Sequence, residues 1–436
     1  MTPITTGALI FGLVMMMMAL GIPIAFSFLV ANLVGAFLLM GNVAGLLQLV
    51  DNSTSLITTF TLVAIPMFVL MGALLFHSGL ALRVFDALDA LFGRIPARLS
   101  YLTVAGGTTF STLTGSTMAN TAMLGSLMVP EMKRRGYAPY MAMGPIIGTG
   151  GLAMLIPPSS LGVLLGSLAR IDIGALLIAG LIPGLILAGL YCLVIFIQAR
   201  MNPSCAPVYE VESVSAAKKL KLFITNILPL GIVIFAVVGF ILLGLATPSE
   251  AAAFGALSVA VLAAAFRRLN VAVLRNALLS TVSVTGMVFL LIVCSSVFSQ
   301  LLAFSGASGA VIDWAISIEG GALVKLLLMF AVLLLLGMFM DQISILLITI
   351  PVFFPLANAL GFDIVWFGIV VLLALEMSLT TPPFGLLLFL MLGVAPKGTT
   401  LPQVALAAAP YLLSDAVLLV LLVLFPALAL FLPGLL

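Results

Sequence analysis

The stretch Ile156-Pro157-Pro158-Ser159-Ser160 interrupts one long apolar run, and Thr380-Thr381-Pro382-Pro383 interrupts another one 225 residues later. Proline has no amide donor and clashes with the preceding turn, so two consecutive prolines are expected to break a helix and free backbone carbonyls. The adjacent serine and threonine hydroxyls add side-chain oxygens at the same place. A simple kink is the alternative interpretation of each proline pair.

The spacing of 225 residues recurs outside the two proline pairs. Pro130 and Gly136 have counterparts at Pro355 and Gly361. The recurrence predicts two structural repeats, each with an apolar segment, a turn and a broken helix.

The composition is that of a polytopic membrane protein. Hydrophobic residues make up 64% of the chain and charged residues 7%, against roughly 45 to 50% and about 25% in soluble domains. Apolar runs long enough to cross a bilayer follow one another with brief polar interruptions, and the N-terminal apolar stretch is divided at Gly21-Ile22-Pro23. The net charge of +2 does not suggest a nucleic-acid partner, and the three scattered cysteines are interpreted as packing residues.

The distribution of basic residues predicts the orientation, because lysines and arginines near span ends stay in the cytoplasm. With the N-terminus outside, 14 of the 16 basic residues fall inside, and only Arg170 and Lys325 lie outside. The inner residues are Arg83, Arg94, Arg98, Lys133, Arg134, Arg135, Arg200, Lys218, Lys219, Lys221, Arg267, Arg268, Arg275 and Lys397.

Two segments are predicted to enter and leave the membrane on one face. Residues 101–130 lie between two cytoplasmic basic clusters, and the corresponding residues 322–355 begin on the outer side. One re-entrant hairpin from each face is what an inverted repeat requires. Five crossings are expected between them, at about 137–168, 173–198, 223–245, 250–266 and 277–304.

Polar residues at the two hairpin tips suggest ligand binding. The first tip contains Gly115, Ser116 and Asn120, where a turn and side-chain oxygens occur in an apolar region. Hard cations prefer oxygen ligands, and unwound helix ends hold sodium in many secondary transporters. The alternative is close helix packing with interhelical hydrogen bonds.

The second tip contains Gly337 and Asp341 within a long apolar stretch. An acid at the helix centre costs roughly 2.5 to 3.5 kcal/mol on insertion, so it is a functional hypothesis by default. Asp341 also fits the N-cap of the returning helix, and the two roles are compatible. Glu376 is a second acid in an apolar run and a weaker candidate, because it could pair with a helix partner.

In order and spacing, the Gly-Ser tip, the Ile-Pro-Pro-Ser break, the Gly-Met-Phe-Met-Asp hairpin and the Thr-Pro-Pro-Phe-Gly break resemble one family. It is the large membrane subunit of tripartite ATP-independent periplasmic (TRAP) transporters. The resemblance covers nearly the whole chain. It implies an all-α inverted-repeat fold in which an elevator-type transport domain moves against a scaffold.

The resemblance also implies function and partners. The expected activity is sodium-coupled uptake of an organic anion, a carboxylate, across the bacterial inner membrane, with co-transported sodium ions and no organic cofactor. The expected partners are a periplasmic substrate-binding protein and a small four-helix membrane subunit. Because the chain begins directly at the large-subunit pattern, that small subunit is expected to be a separate polypeptide.

The candidate site residues lie at the two tips and the two breaks. The substrate candidates are Ser116, Asn120, Ser159, Ser160 and Asp341. The sodium candidates are Gly115, Ser116, Asn120, Ile156, Pro157, Gly337, Asp341, Thr380, Thr381 and Pro382.

The chain divides, on this interpretation, into alternating scaffold and transport parts. Residues 1–100 and 199–275 supply scaffold helices and a cytoplasmic loop, and 397–436 a C-terminal helix. Residues 101–198 hold the first hairpin and a broken helix at about 137–168. Residues 276–396 hold the second hairpin and a broken helix at about 364–394.

Three other classes of protein are alternatives to this interpretation. A stand-alone sodium- or proton-coupled symporter of the divalent-anion:sodium symporter type shares the hairpin plan and would need no binding protein. An intramembrane hydrolase lacks a catalytic set, since His77 is the only histidine and is expected to be an interface residue near a helix end. A passive channel or scaffold would show no sodium-driven accumulation. The sequence does not identify the substrate.

Overall fold

The fold is helical throughout the part of the chain that the computed structural model describes, residues 3–92, 95–114, 117–157, 159–208, 215–382 and 385–435. The first half contains α1 (Pro3–Ala19), α2 (Ile24–Leu39), α3 (Val43–Ile57), α4 (Ala64–Ser78), α5 (Leu80–Leu91), α6 (Arg98–Thr114), α7 (Thr117–Arg134), α8 (Pro139–Leu155), α9 (Ser160–Ala169), α10 (Ile173–Ala179) and α11 (Leu181–Met201). The second half contains α12 (Ala216–Leu222), α13 (Leu228–Leu242), α14 (Pro248–Ala265), α15 (Val271–Phe304), α16 (Ala307–Ser317), α17 (Ala322–Gly337), α18 (Gln342–Ala359), α19 (Ile364–Thr380), α20 (Leu386–Val394), α21 (Leu401–Leu424) and α22 (Ala427–Leu430).

The helices confirm a multi-pass membrane protein. Among the described residues, seven helical segments are long and apolar enough to cross a bilayer, and eight if α8 and α9 form one broken span. The seven are Phe60–Ser78, Ile173–Met201, Ala216–Leu242, Pro248–Ala265, Val271–Phe304, Gln342–Ala359 and Leu401–Leu424. Shorter apolar helices, including α1, α2, α17 and α19, add to these.

Both predicted helix breaks are present. Helix α8 ends at Leu155 and α9 begins at Ser160, with axes inclined by 41°. Helix α19 ends at Thr380 and α20 begins at Leu386. Pro158 and Pro383 themselves lie outside the described residues.

Each predicted hairpin segment contains two helices joined by a short connection. Helices α6 and α7 flank residues 115–116, and α17 and α18 flank residues 338–341. Pro130 and Pro355, expected to bound the hairpins, instead lie inside α7 and α18. A membrane helix tolerates an internal proline because neighbouring helices and local adjustments satisfy the freed backbone groups. That each pair returns to its own face stays a prediction.

The true helix ends come at the two repeat-related glycines. Gly136 has a φ of +79° and Gly361 a φ of +80°, the left-handed conformation that glycine adopts at little cost. The amide of Gly136 donates to the Lys133 carbonyl at 3.0 Å, and that of Gly361 donates to the Asn358 carbonyl at 3.0 Å. The repeated glycine therefore ends both hairpins in the same way.

Helices α8 and α19 form the centre of the main core. Residues 141–155 of α8 and 366–380 of α19 are buried at every position. Helices α6, α7, α11 and α21 pack around α8. The two most buried helices are thus those that end at the predicted breaks.

The N-terminal helices pack on the long helix α15. Phe28 of α2 and Phe298 of α15 form an edge-to-face pair with ring centroids 4.9 Å apart, and the Asn32 side chain donates to the Cys294 carbonyl at 2.7 Å. His77, in the last turn of α4, lies 3.2 Å from the Ser280 hydroxyl of α15. His77 therefore lies where α4 contacts α15.

The charge-based orientation gives a testable prediction. Lys133 and Lys218 are exposed, and cysteines placed there, in a background lacking the three native cysteines, should resist membrane-impermeant thiol reagents added outside intact cells. Cysteine at the exposed Glu319, predicted to be outside, serves as the labelled control. Labelling of either inner position from outside would contradict the orientation.

Candidate functional site

The first hairpin is fastened to the central helix by Asn120. Its side-chain nitrogen donates to the carbonyls of Gly107 on α6, at 3.3 Å, and Thr149 on α8, at 3.1 Å. Asn120 is fully buried. Its two hydrogen bonds join α7 to α6 and α8. Gly115 and Ser116, the other candidates of this tip, lie outside the described residues.

The first break is organised by a serine cap. After Leu155 the backbone of Ile156 becomes extended, with a ψ of 122°. The buried Ser159 accepts a hydrogen bond from the Gly162 amide at 3.0 Å and so caps α9, whereas Ser160 is the first residue of α9. Pro157 is buried between the two helix ends. A serine cap leaves its hydroxyl hydrogen available to a ligand or a neighbouring carbonyl.

The second tip is capped by Asp341. Its carboxylate accepts from the amides of Ile343 at 3.0 Å and Ser344 at 3.2 Å, and the Ser344 hydroxyl donates to it as well. The capping role expected from the sequence is present. The Asp341 side chain is exposed, and three donors leave part of the acceptor capacity of a carboxylate unused.

Two contacts hold this second tip beside both breaks. The side-chain amide of Gln342, the residue after Asp341, donates to the sulfur of Met154 at 3.4 Å. Met154 lies just before the first break. A methyl group on Gly337 would lie 2.1 Å from the Cβ and Oγ atoms of Ser378, just before the second break. Gly337 therefore permits a backbone approach that no other residue type allows.

The second break carries hydroxyl groups and backbone carbonyls close together. The hydroxyls of Thr380 and Thr381 donate to the same carbonyl, that of Met377, at 3.0 and 2.7 Å. The Gly385 amide donates to the Thr381 carbonyl at 3.1 Å, across Pro382. These oxygens are the ligand type that sodium prefers.

A buried acidic cluster lies about one helical turn before the second break. The Tyr191 hydroxyl of α11 lies 3.0 Å from Oε1 of Glu376 on α19 and 2.6 Å from Oδ1 of Asp415 on α21. The exposed fractions are 0% for Tyr191, 1% for Glu376 and 2% for Asp415. Because a phenol has one hydrogen, it donates to only one carboxyl group at a time. Glu376 does have a helix partner, and the cluster ties together α11, α19 and α21.

Sequence reasoning missed Asp415 and Tyr191. Asp415 is the only charged residue of the 24-residue helix α21, so the rule that singled out Asp341 applies equally to it. Tyr191 carries no comparable signal, since tyrosine is common in membrane helices. The two acids and the tyrosine come together only through helix packing.

The site residues converge on the ends of α8 and α19. The first hairpin binds α8 through Asn120, and the second hairpin contacts α8 through Gln342 and α19 through Gly337. The two broken helices contact each other at Gly151 and Glu376, about one turn before each break. The arrangement places oxygen-bearing breaks from both halves around one region.

A solved transporter structure shares this fold. The structure of the Alcanivorax borkumensis YdaH transporter matches with a TM-score of 0.64, covering 89% of this chain and 90% of that chain at 17% identity. At that identity the likeness concerns the fold alone.

Two curated relatives match over most of their length. The C4-dicarboxylate TRAP transporter large permease protein DctM of Pseudomonas aeruginosa is 33% identical over 86% of each chain. The ectoine TRAP transporter large permease protein TeaC of Halomonas elongata is 30% identical over 95% of this chain and 96% of its own. The substrates named for these relatives differ.

The family model described as "Tripartite ATP-independent periplasmic transporter, DctM component" matches residues 11–428. The match spans both hairpin segments, both breaks and the acidic cluster. The chain therefore belongs to the DctM family: it is a large permease subunit of a TRAP transporter and not an enzyme.

Proposed function

We propose that this permease imports an organic anion, a carboxylate, together with sodium across the bacterial inner membrane. In this proposal a periplasmic binding protein delivers the anion, and a small four-helix membrane subunit completes the transporter. An elevator motion of the hairpin-bearing part, against a scaffold that includes α4 and α14, carries the anion across.

The observation that supports the proposal best is the convergence of the second tip and both breaks. Gln342 reaches Met154, and Gly337 lies against Ser378, so helix ends from both halves face one region. Helix N-termini favour anions, whereas C-terminal carbonyls favour cations. The N-terminus of α9 is capped by Ser159, and the C-terminus of α19 carries Thr380. Such paired ends suit an anion and a cation bound side by side.

Sodium coupling is supported by the donor set. The described residues around the breaks offer hydroxyls, backbone carbonyls and the Asp341 carboxylate, which are hard oxygen ligands. The Asp341 charge and the Thr380 and Thr381 oxygens lie in the second half. The first half contributes the candidates Ser159, Ile156 and Asn120. The two halves therefore differ chemically, and two cation sites, where both bind, would differ in their ligands.

The test is reconstitution with and without partners. The complete complex in proteoliposomes, given the binding protein loaded with its ligand, should accumulate that ligand when an inward sodium gradient is imposed. Replacement of sodium by potassium should abolish accumulation, because potassium is too large for a site built for sodium. The permease chain alone should accumulate nothing.

Two results would count against the proposal. Sodium-driven uptake by this chain alone would indicate a stand-alone symporter. Equilibration of the ligand without accumulation, whatever the cation, would indicate a passive channel.

A further inference from the structure

A polar cavity lies apart from the helix breaks. It has a volume of about 620 Å³ and is bounded by the end of α3, the turn between α9 and α10, the start of α14 and the end of α15. Binding sites for small ligands commonly enclose about 300 to 1,000 Å³. Its polar lining includes Asn52, Arg170, Asp172, Ser249, Ser296 and Gln300.

Arg170 places one positive charge in this cavity. None of the ion pairs found among the described residues includes Arg170. The acid Asp172 also lines the cavity without forming an ion pair with Arg170, and one oxygen of its carboxylate caps α10 by accepting from the Ala175 amide at 2.6 Å. The Arg170 guanidinium thus remains available to an external anion.

The backbone of Arg170 gives independent support. Arg170 ends α9 with a φ of +55°, in the left-handed region, where glycine is the usual residue and a side chain costs roughly 1 to 2 kcal/mol. Unfavourable backbone conformations that persist are often associated with function. An arginine where glycine would be more stable indicates that its side chain has a use.

Neutral hydrogen-bonding groups and apolar walls complete the lining. The Asn52 side-chain amide donates to the Gln300 side-chain oxygen at 2.5 Å, and this bond does not use the hydrogens of the Gln300 NH₂ group. Ser249 and Ser296 supply hydroxyls, and Leu56 and Leu62 supply apolar surface. Such a lining suits a ligand with a carboxylate and an uncharged remainder.

The cavity lies at the predicted outer end of the helices. Arg170 and Lys325 are the two basic residues that the charge distribution assigns to the outside. Helix α9 connects Arg170 to the first break over about 15 Å, at 1.5 Å per residue. A ligand bound here would therefore lie between the external solution and the breaks.

We infer that this cavity is an outer receiving site for a carboxylate, in which Arg170 pairs with the anion before it reaches the helix breaks. The inference deepens the proposed function and rests on it for the direction of transport. Direct binding of an acidic surface of the partner protein by Arg170 is the competing explanation, and the experiment separates the two.

The test measures occupancy without transport. Ser296→Cys is introduced into the complete membrane complex lacking the native cysteines, and its alkylation by a small impermeant thiol reagent is timed in outside-out vesicles without the binding protein. Succinate is the anionic probe, its diamide succinamide the neutral match, and sulfate at equal ionic strength the control for nonspecific anion effects.

The expected result is specific protection. Succinate should slow alkylation about fivefold or more, in keeping with a bidentate carboxylate–arginine pair, and succinamide and sulfate should not. Arg170→Gln should abolish protection, and Arg170→Lys should retain part of it. Lys325→Gln is the matched control: the Lys325 ammonium donates to the Ile316 carbonyl at 2.8 Å, and its loss should leave protection intact.

Three outcomes would overturn the inference: no protection by succinate, equal protection by succinamide or sulfate, or protection that survives Arg170→Gln. In the first case, weaker stimulation of Arg170→Gln by the binding protein would assign Arg170 to protein docking. Because alkylation requires neither sodium nor turnover, its failure is distinguishable from failure of sodium-driven uptake.

Discussion

Asp341→Asn is expected to leave the complex folded and to reduce sodium-driven uptake at least about tenfold, which corresponds to ~1.4 kcal/mol. Asparagine caps helices about as well as aspartate, so an oxygen at this position can still accept from the Ile343 and Ser344 amides. What the substitution removes is the negative charge of an exposed carboxylate at the tip. The measurement is the initial rate of uptake by the reconstituted complex across a range of sodium concentrations.

Asp363→Asn is the matched control. Asp363 caps α19 as Asp341 caps α18, accepting from the amides of Val365 at 2.8 Å and Trp366 at 3.0 Å. Both variants should elute as intact complexes with thermal midpoints near that of the parent protein. Uptake should fall only in Asp341→Asn. Equal, near-normal uptake by both variants would show that Asp341 acts solely as a cap.

The features that could be predicted from sequence are those determined by the backbone properties of a few adjacent residues. The proline pairs that begin at Pro157 and Pro382 predict helix breaks because each pair removes two backbone amide donors within one helical turn. Asp341 predicts a helix N-cap because it precedes an apolar helix. The repeat-related Gly136 and Gly361 end helices with nearly the same backbone φ.

The ends of the hairpins were less predictable. Pro130 and Pro355 lie within helices, although the same residue type breaks α8 and α19. The difference lies in context: Pro130 in α7 and Pro351 and Pro355 in α18 are not adjacent to another proline and each remove one hydrogen bond, whereas two adjacent prolines next to hydroxyl-bearing residues remove two. Two adjacent prolines therefore predict a helix break, whereas an isolated proline does not.

The acidic cluster was beyond sequence pattern because it depends on long-range packing. Tyr191 is 185 residues from Glu376 and 224 residues from Asp415. No periodicity within one helix indicates which side chains of three distant helices meet. The one signal in the sequence was Asp415 itself, a charged residue in an otherwise apolar helix.

Gly151→Ala is expected to destabilise the core. A methyl group at Gly151 would lie 2.2 Å from both Cγ and Oε1 of Glu376. Glu376 is 1% exposed and is held by Tyr191 at 3.0 Å, so it has no free volume to move into. Overpacking of this kind costs about 1 to 3 kcal/mol, measured as a lower thermal midpoint of the purified complex. Gly189→Ala on α11 is the control, because no heavy atom lies within 4 Å of its added methyl group.

The cause of that loss can be isolated with a double-mutant cycle. Glu376→Ala alone should also destabilise, since it opens a cavity and removes an acceptor from the Tyr191 hydroxyl, which keeps Asp415 as a partner at 2.6 Å. In the Glu376→Ala background, however, the methyl group of Gly151→Ala enters the vacated space and should cost much less than in the parent protein. Residues in direct contact show such coupling, by about 0.5 to 3 kcal/mol. Strict additivity of the two substitutions would instead mean that α8 and α19 do not meet at Gly151 and Glu376, and with that contact the convergence of the two breaks would be lost.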